Sequence, residues 1–222
     1  MAKADHVETR APFVRDYDAA LGDLRFRALL PDTAWERLPP AIRRRFSKRL
    51  AGGRTVVYTG RITETVMSRV GATLAQLGRL IGGPLPTARD VDVPSVVTVT
   101  EDLRSGGQIW TRLYARRQGF PQVIHSSKRF AGPTGLEEHV GCGFGMTLAV
   151  STTDTALVFN SDRYYLQIGR FRAYLPRRMC PGDLVVTHTE ITPAQFAFTL
   201  DIVHPRLGTL IHQRAIFEEA RT

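Results

Sequence analysis

The sequence predicts a mainly β protein. About ten antiparallel strands close into a barrel, with helices before the first strand and one lid helix after it. Three observations carry this. From about residue 54 onward hydrophobic side chains recur with a period of two, the spacing of half-buried strands. Turn residues (Ser105-Gly106-Gly107, Gly119, Gly132-Pro133, Thr153-Asp154, Ser161-Asp162, Pro181-Gly182 and Pro205 to Gly208) cut that stretch into pieces with short gaps, which suits antiparallel neighbours. A long meander in one domain must also hide its edges, and closure does this best.

The elements follow in order. Residues 1–16 read as a loose tail and 17–222 as a single domain, helical over 17–51 and a barrel over 54–220. The helical part has a first piece at about 17–30 and a turn at Pro31-Asp32. After Pro39-Pro40 comes a basic helix that Gly52-Gly53 ends. Ile42, Phe46 and Leu50 form its apolar stripe, and Trp35 and Leu38 fasten the unit to the body. In the first strand, RTVVYTGRITETVMSR, Val56, Tyr58, Ile62 and Val66 share one face and Thr59, Arg61, Thr63 and Thr65 the other. The lid helix, about 70–82, aligns Val70, Leu74, Leu77 and Ile81 and stops at Gly82-Gly83-Pro84.

Strands then follow at about 93–103, 107–117, 120–130, 136–151, 154–160, 163–168, 170–175, 183–191, 194–204 and 208–219. Strand, helix, then many strands is the order of the fatty-acid-binding branch of the calycin-like barrels, a fold-level analogy. A helix-grip α+β fold is the alternative, but it usually ends in a long helix. Here the end, QRAIFEEART, alternates like a strand. A two-sheet sandwich ranks third.

Composition narrows the function classes. With 222 residues, 43% hydrophobic and 23% charged, the chain can bury a sizeable core. No apolar run approaches the roughly 20 residues of a membrane span, and the polar start lacks a secretory segment. A soluble, cytoplasmic protein is the expectation. Two cysteines, Cys142 and Cys180, exclude a disulfide framework and a four-cysteine zinc site. The formal charge of +9 is concentrated. Residues 25–54 hold nine basic and two acidic residues, +7 in all. The basic helix PPAIRRRFSKRLAGG suits a phosphate backbone, an anionic membrane or an acidic partner, or else a solvated helix docked by its stripe. Nucleic acid is disfavoured, because there is no aromatic platform and no zinc-finger spacing.

The stretches VVYTGRITETVMSR, LAQLGRLIGGPLPT, VPSVVTVTED, GGQIWTRLYARRQGFPQVIHSSKRFAGPTGLEEHVG and HPRLGTLIHQRAIFEE resemble the bacterial family known as domain of unknown function 4166. GGQIWTR and HSSKRFAGPTGLEE are the most specific blocks. The resemblance covers about residues 25–219 and brings no activity or catalytic residues with it. It implies an accessory role beside an NAD(P)-binding, short-chain-dehydrogenase-like oxidoreductase acting on hydrophobic metabolites, because members are often fused behind such domains.

Candidate site residues come from polar groups on apolar strand faces, since a buried polar group costs about 1–3 kcal/mol unless satisfied. Glu64 shares a face with Tyr58, Ile62 and Val66, Lys128 with Ile124 and Phe130, His188 with Leu184 and Val186, and Gln213 with Ile211 and Ala215. An apolar interior with a few fixed polar groups is how small-molecule pockets are built. The functional reading makes Glu64 or His188 a general base and Lys128 an anion anchor or Schiff-base amine. The plainer reading is a structural Glu–Lys pair and a satisfied core histidine. Trp110, Arg112 and Tyr114 share a face on which Arg and Tyr suit a carboxylate, although Ile109, Leu113 and Ala115 make the opposite face the more obvious core. His125 and Ser127 share a face but lack a nucleophile elbow.

The glycines of GCGFGM precede strands rather than a helix, which excludes a dinucleotide loop and leaves a bent or bulged strand. No histidine pairing suits a metal, and no cofactor is implied. The expectation is a hydrophobic metabolite bound inside the barrel, with a cofactor-free cyclisation, isomerisation or dehydration in a biosynthetic pathway. The alternatives are a carrier or accessory module, and an interaction module using the basic helix.

Overall fold

The computed structural model describes residues 22–220. The proposed tail and the start of the first helical piece lie outside them. Eleven strands form one antiparallel sheet: β1 (Thr55–Met67), β2 (Pro94–Asp102), β3 (Gly107–Tyr114), β4 (Gln122–Arg129), β5 (Glu137–Gly141), β6 (Phe144–Thr152), β7 (Ala156–Ile168), β8 (Phe171–Tyr174), β9 (Asp183–Glu190), β10 (Gln195–His204) and β11 (Gly208–Glu219). Each of β1 to β7 pairs with its successor, β7 pairs with β9, and β9 leads through β10 and β11 back to β1. This closes a ten-stranded barrel and leaves β8 as an extra strand hydrogen-bonded to β7. No edge of the ten remains open, which is the physical reason for closure.

Helices cover both ends. At one end α1 (Asp32–Arg37) and α2 (Pro40–Phe46) seal the barrel with Trp35, Leu38, Ile42, Phe46 and Leu50, all buried. The predicted turn at Pro31-Asp32 instead starts α1, because Pro31 carries extended backbone into the helix. Residues 22–30 contain only a 3-10 turn at Arg27–Leu29. At the other end lies α3 (Arg69–Gly78), continued by a 3-10 turn at Arg79–Ile81. Ser68 caps α3, its hydroxyl accepting from the Gly71 amide at 3.0 Å. Gly71 lies so close to the Leu210 carbonyl that a Cβ would overlap it. The lid helix therefore rests directly on β11.

Three departures from the expected strands share one cause, a change in chain phase. The predicted strand 136–151 is two strands, because Cys142 (φ 48°) and Gly143 (φ 80°) turn the chain between β5 and β6. Ser161-Asp162 is not a turn. It is a bulge inside β7, where the pairing to β6 slips between Thr147 and Leu148, and the Asp162 carboxylate accepts from the Thr147 hydroxyl at 3.0 Å. A second bulge lies in β1, where Ile62 pairs with Ala215 and Glu64 with Arg214. One extra residue on one strand reverses which side chains face inward beyond it.

Among the described residues no helix is long and apolar enough to cross a membrane. Both cysteines are free.

Candidate functional site

The barrel encloses a cavity of about 290 Å³. Its walls are mostly apolar, with Val97, Ile124, Met146, Phe159, Leu200 and Phe217 among them. It reaches the surface between the lid region (Leu74, Ile81, Pro84, Leu85) and the β8–β9 connection, where Met179 lines it while 66% exposed.

Lys128, Glu138 and Arg112, from three adjacent strands, bring the charges into this apolar space. Lys128 on β4 stands directly opposite Glu138 on β5, so both side chains point the same way. The ammonium donates to Glu138 Oε2 at 2.6 Å, and the two residues are only 2% and 6% exposed. Arg112 on β3 places Nη2 3.5 Å from Glu138 Oε1, and its Nη1 donates to Ser126 Oγ at 3.1 Å. Burial works against the Glu138 carboxylate, but the Lys128 ammonium, the Arg112 guanidinium and hydrogen bonds from Lys128 and Ser126 overcome it and hold its pKa at about 2. Burial and the Arg112 charge lower the Lys128 pKa while the Glu138 carboxylate opposes them, and the close ion pair places the proton on Lys128. Two cations face one carboxylate, leaving one positive charge inside a low-dielectric wall.

Lys128 pairs in register with Gln108, toward the sealed end. Tyr114 pairs with Gln122, whose amide donates to the Leu85 carbonyl at the mouth, 2.8 Å away. The cluster thus lies below the mouth, with Tyr114 above it. Gln213 on β11 lines the cavity and is 5% exposed, and its side-chain amide has no hydrogen-bond partner among the described residues. The same holds for the Tyr114 hydroxyl, whose pKa burial raises. Tyr164 also lines the cavity and donates to the Gly182 carbonyl at 3.0 Å. Burial pushes its pKa up to about 12.

Of the residues singled out in sequence, Trp110, Arg112, Tyr114, Lys128 and Gln213 line this cavity. The Trp110 face of β3 points inward, contrary to the expectation that Ile109 and Leu113 mark the core side. The barrel accepts Arg112 there because Glu138 stands close by.

Four others lie elsewhere. Glu64 is outside the barrel, its side chain 52% exposed, where it accepts from Arg214 at 3.0 Å beside His212, itself bound to Asp201 at 2.7 Å. The β1 bulge is the reason, since it turns Glu64 and Val66 outward although Tyr58 and Ile62 point in. His125 is also outside, within hydrogen-bond distance of Thr111 Oγ1 at 3.1 Å.

His188 and Tyr58 point inward but toward the sealed end. They line a separate space of about 20 Å³ under α2, which has room for about one water and no metabolite. Trp110 and Phe198 line both spaces and form the partition between them. His188 stacks on Phe196 (centroids 4.4 Å apart) and meets Phe46 and Phe198 edge-on. Arg45 Nη1 lies 3.2 Å from its Nε2. Arg45 can only donate, so Nε2 accepts and the proton is on Nδ1, which has no partner among the described residues. Burial, reinforced by Arg45, pushes the His188 pKa well below 6.5.

His188 therefore sits as a neutral ring in an aromatic cluster. Below about pH 6.5 the unfolded chain protonates this histidine and the native state does not, so native stability falls with decreasing pH. His188→Phe is expected to keep the fold and remove that part of the acid slope, as read by urea unfolding at pH 7 and pH 5. An unchanged slope would mean that His188 does not titrate differently on unfolding.

Glu138 was not singled out in sequence. A signal existed, since a lysine on an apolar strand face is followed one hairpin later by Glu137-Glu138. Adjacent strand residues point to opposite faces, so which glutamate meets Lys128 depends on a single residue of loop length. Glu137 faces outward, where Arg172 of β8 holds it in a bidentate pair beside Tyr165.

The chain matches the family described as "Domain of unknown function (DUF4166)" over residues 38–217. No curated protein matches it.

Proposed function

We propose that this chain, which belongs to the family of domain of unknown function 4166, binds a hydrophobic small molecule carrying an anionic oxygen end. The acidic end sits against Arg112 and Lys128, and the apolar body fills the cavity toward Tyr114 and the mouth. One observation carries this reading: two cations share one carboxylate inside an apolar wall. An uncompensated charge in such surroundings is costly, and a carboxylate or enolate supplies the missing negative partner. Gln213 offers an unengaged amide to the same molecule. The size, about 290 Å³, is near the lower end of ligand pockets, roughly 300–1,000 Å³, and suits a short acyl chain or a compact ring system.

Binding without turnover is the reading this arrangement favours. The two residues considered as bases, Glu64 and His188, do not line the cavity. A biosynthetic cyclase or isomerase would have to work with Lys128, Glu138 and the two tyrosines, each engaged or held in its neutral form. The basic-helix alternative has less support, because α2 uses Arg45 on His188 and Phe196, while Lys48 just beyond it pairs with Glu219.

The test is titration with a medium-chain fatty carboxylate, the alcohol of the same length and the amine, followed by Trp110 emission and calorimetry. The carboxylate should bind most tightly. Arg112→Leu should weaken it by roughly 10- to 100-fold, the range for a lost charged hydrogen bond. Glu64→Gln and His188→Phe should leave affinity unchanged. Equal binding of the alcohol, or no binding along a chain-length series, would overturn the reading.

A further inference from the structure

The end of the barrel where the cavity opens has an unusual surface. Leu77 and Leu80 of the lid region, Ile168 and Phe171 of the β7–β8 hairpin, and Met179 of the β8–β9 connection are all 60–80% exposed. They belong to one end of the molecule. The Cys142 thiol meets the Leu80 carbonyl, and Gly143 beside it accepts from the Gln167 amide at 2.8 Å, so lid, β5–β6 turn and hairpin are continuous. Met179 stands at the opening itself. The three segments framing this end, 69–89, 140–146 and 164–182, contain seven arginines, with Asp90 and Asp183 as the acids at their borders, while the rest of residues 55–222 sums to −3. Arg172 is tied to Glu137 and Arg79 to Gln76. The side chains of Arg69, Arg89, Arg170, Arg177 and Arg178 have no hydrogen-bond or ion-pair partner among the described residues.

We propose that this end of the barrel docks on an anionic lipid surface, with Leu77, Leu80, Phe171 and Met179 entering the interface and the arginines meeting the headgroups. Exposed apolar side chains set among an excess of cations are what such a surface binds. An acidic protein partner fits less well. Protein interfaces concentrate their energy in a packed centre, and the centre of this face is an opening. A lipid surface needs no such centre and places acyl chains at the opening. The other basic region is a weaker candidate, because Arg25, Arg45 and Lys48 there are held by Asp23, His188 and Glu219.

The test is co-sedimentation of the full chain with vesicles of equal parts phosphatidylglycerol and phosphatidylcholine, and with phosphatidylcholine alone. Binding should require the anionic lipid and fall steeply with added salt. Arg177→Glu with Arg178→Glu should weaken it by roughly 30-fold or more, given the attraction of each cation near an anionic surface. Leu80→Ser with Phe171→Ser should weaken it several-fold. These side chains are exposed, so an unchanged thermal midpoint should accompany the loss. Arg44→Glu on α2 should bind as the parent does.

Equal sedimentation with the uncharged vesicles, sedimentation with neither, or an equal loss in Arg44→Glu would overturn the proposal. So would a saturable complex with an acidic protein in place of vesicle binding. Arg112→Leu separates this inference from the ligand reading, because it should keep vesicle binding while losing the carboxylate preference.

Discussion

Lys128→Met is expected to lower the free energy of unfolding by about 3–5 kcal/mol, the cost of removing one partner from a buried ion pair. The reason is what remains. Glu138 stays buried in an apolar wall with the Ser126 hydroxyl and the longer contact to Arg112, 3.5 Å away, in place of the 2.6 Å bond from Lys128. Adding Glu138→Leu should recover most of that loss, because two apolar side chains of similar volume need no partner there. The recovery should stop short of the parent by whatever Arg112 loses. Urea unfolding of the parent, both single variants and the double variant gives the coupling directly. Additive single effects would show that the pair is not an energetic unit. The double variant also removes the Lys128 charge from the ligand site, so ligand affinity should fall while the fold stands.

Acid should destabilise the barrel through the same carboxylate, and Glu138→Gln should remove that share. In the native state Glu138 ionises at about 2, against an ordinary value of 4.5. Above about pH 4.5 both states are ionised and the full stabilisation is present. As the pH falls from about 4.5 toward 2 the unfolded chain takes up the proton first, and stability drops by ~3 kcal/mol in total. Asp102 contributes to the same limb. Burial opposes its charge, but hydrogen bonds from Ser127, Ser105 and the Arg104 amide, with Arg129 nearby, hold it at about 2 as well. The difference between parent and Glu138→Gln across that window isolates Glu138. Parallel acid curves would mean that its carboxyl titrates alike in both states.

The barrel was legible because its cause is local and repeated. Alternation along each strand and turn residues between them set the strand count near ten, and an edgeless sheet follows from that count. The inward set on β4 could also be written down from alternation, since that strand supplies Lys128 without a break in phase, and on β11 alternation holds from Ile211 through Gln213, beyond the irregularity at Leu210. On β3 alternation separated the two faces but pointed to the wrong one, because Ile109 and Leu113 outweigh Trp110 and Arg112 unless Glu138 is known to stand beside Arg112. Glu64 was misplaced for the opposite reason. A bulge adds one residue without any glycine or proline to mark it, and every side chain beyond it changes sides. Asp162 in β7 is the same event, read in sequence as a turn.

His188 shows a different limit. Alternation placed it inside correctly, but a barrel has two ends, and α2 had already filled the one it faces. Which end a side chain serves depends on how the helices dock.

The amino-acid pattern alone therefore determined the strands, their antiparallel pairing, the closed sheet and most of the polar groups turned inward. It did so because period and turn chemistry act over a few residues. Only the folded chain decided that Glu138 and not Glu137 meets Lys128, that Trp110 and Phe198 wall off His188, and that arginines crowd the open end. Each of these depends on register across strands or on segments distant in sequence, and no local rule encodes such distances.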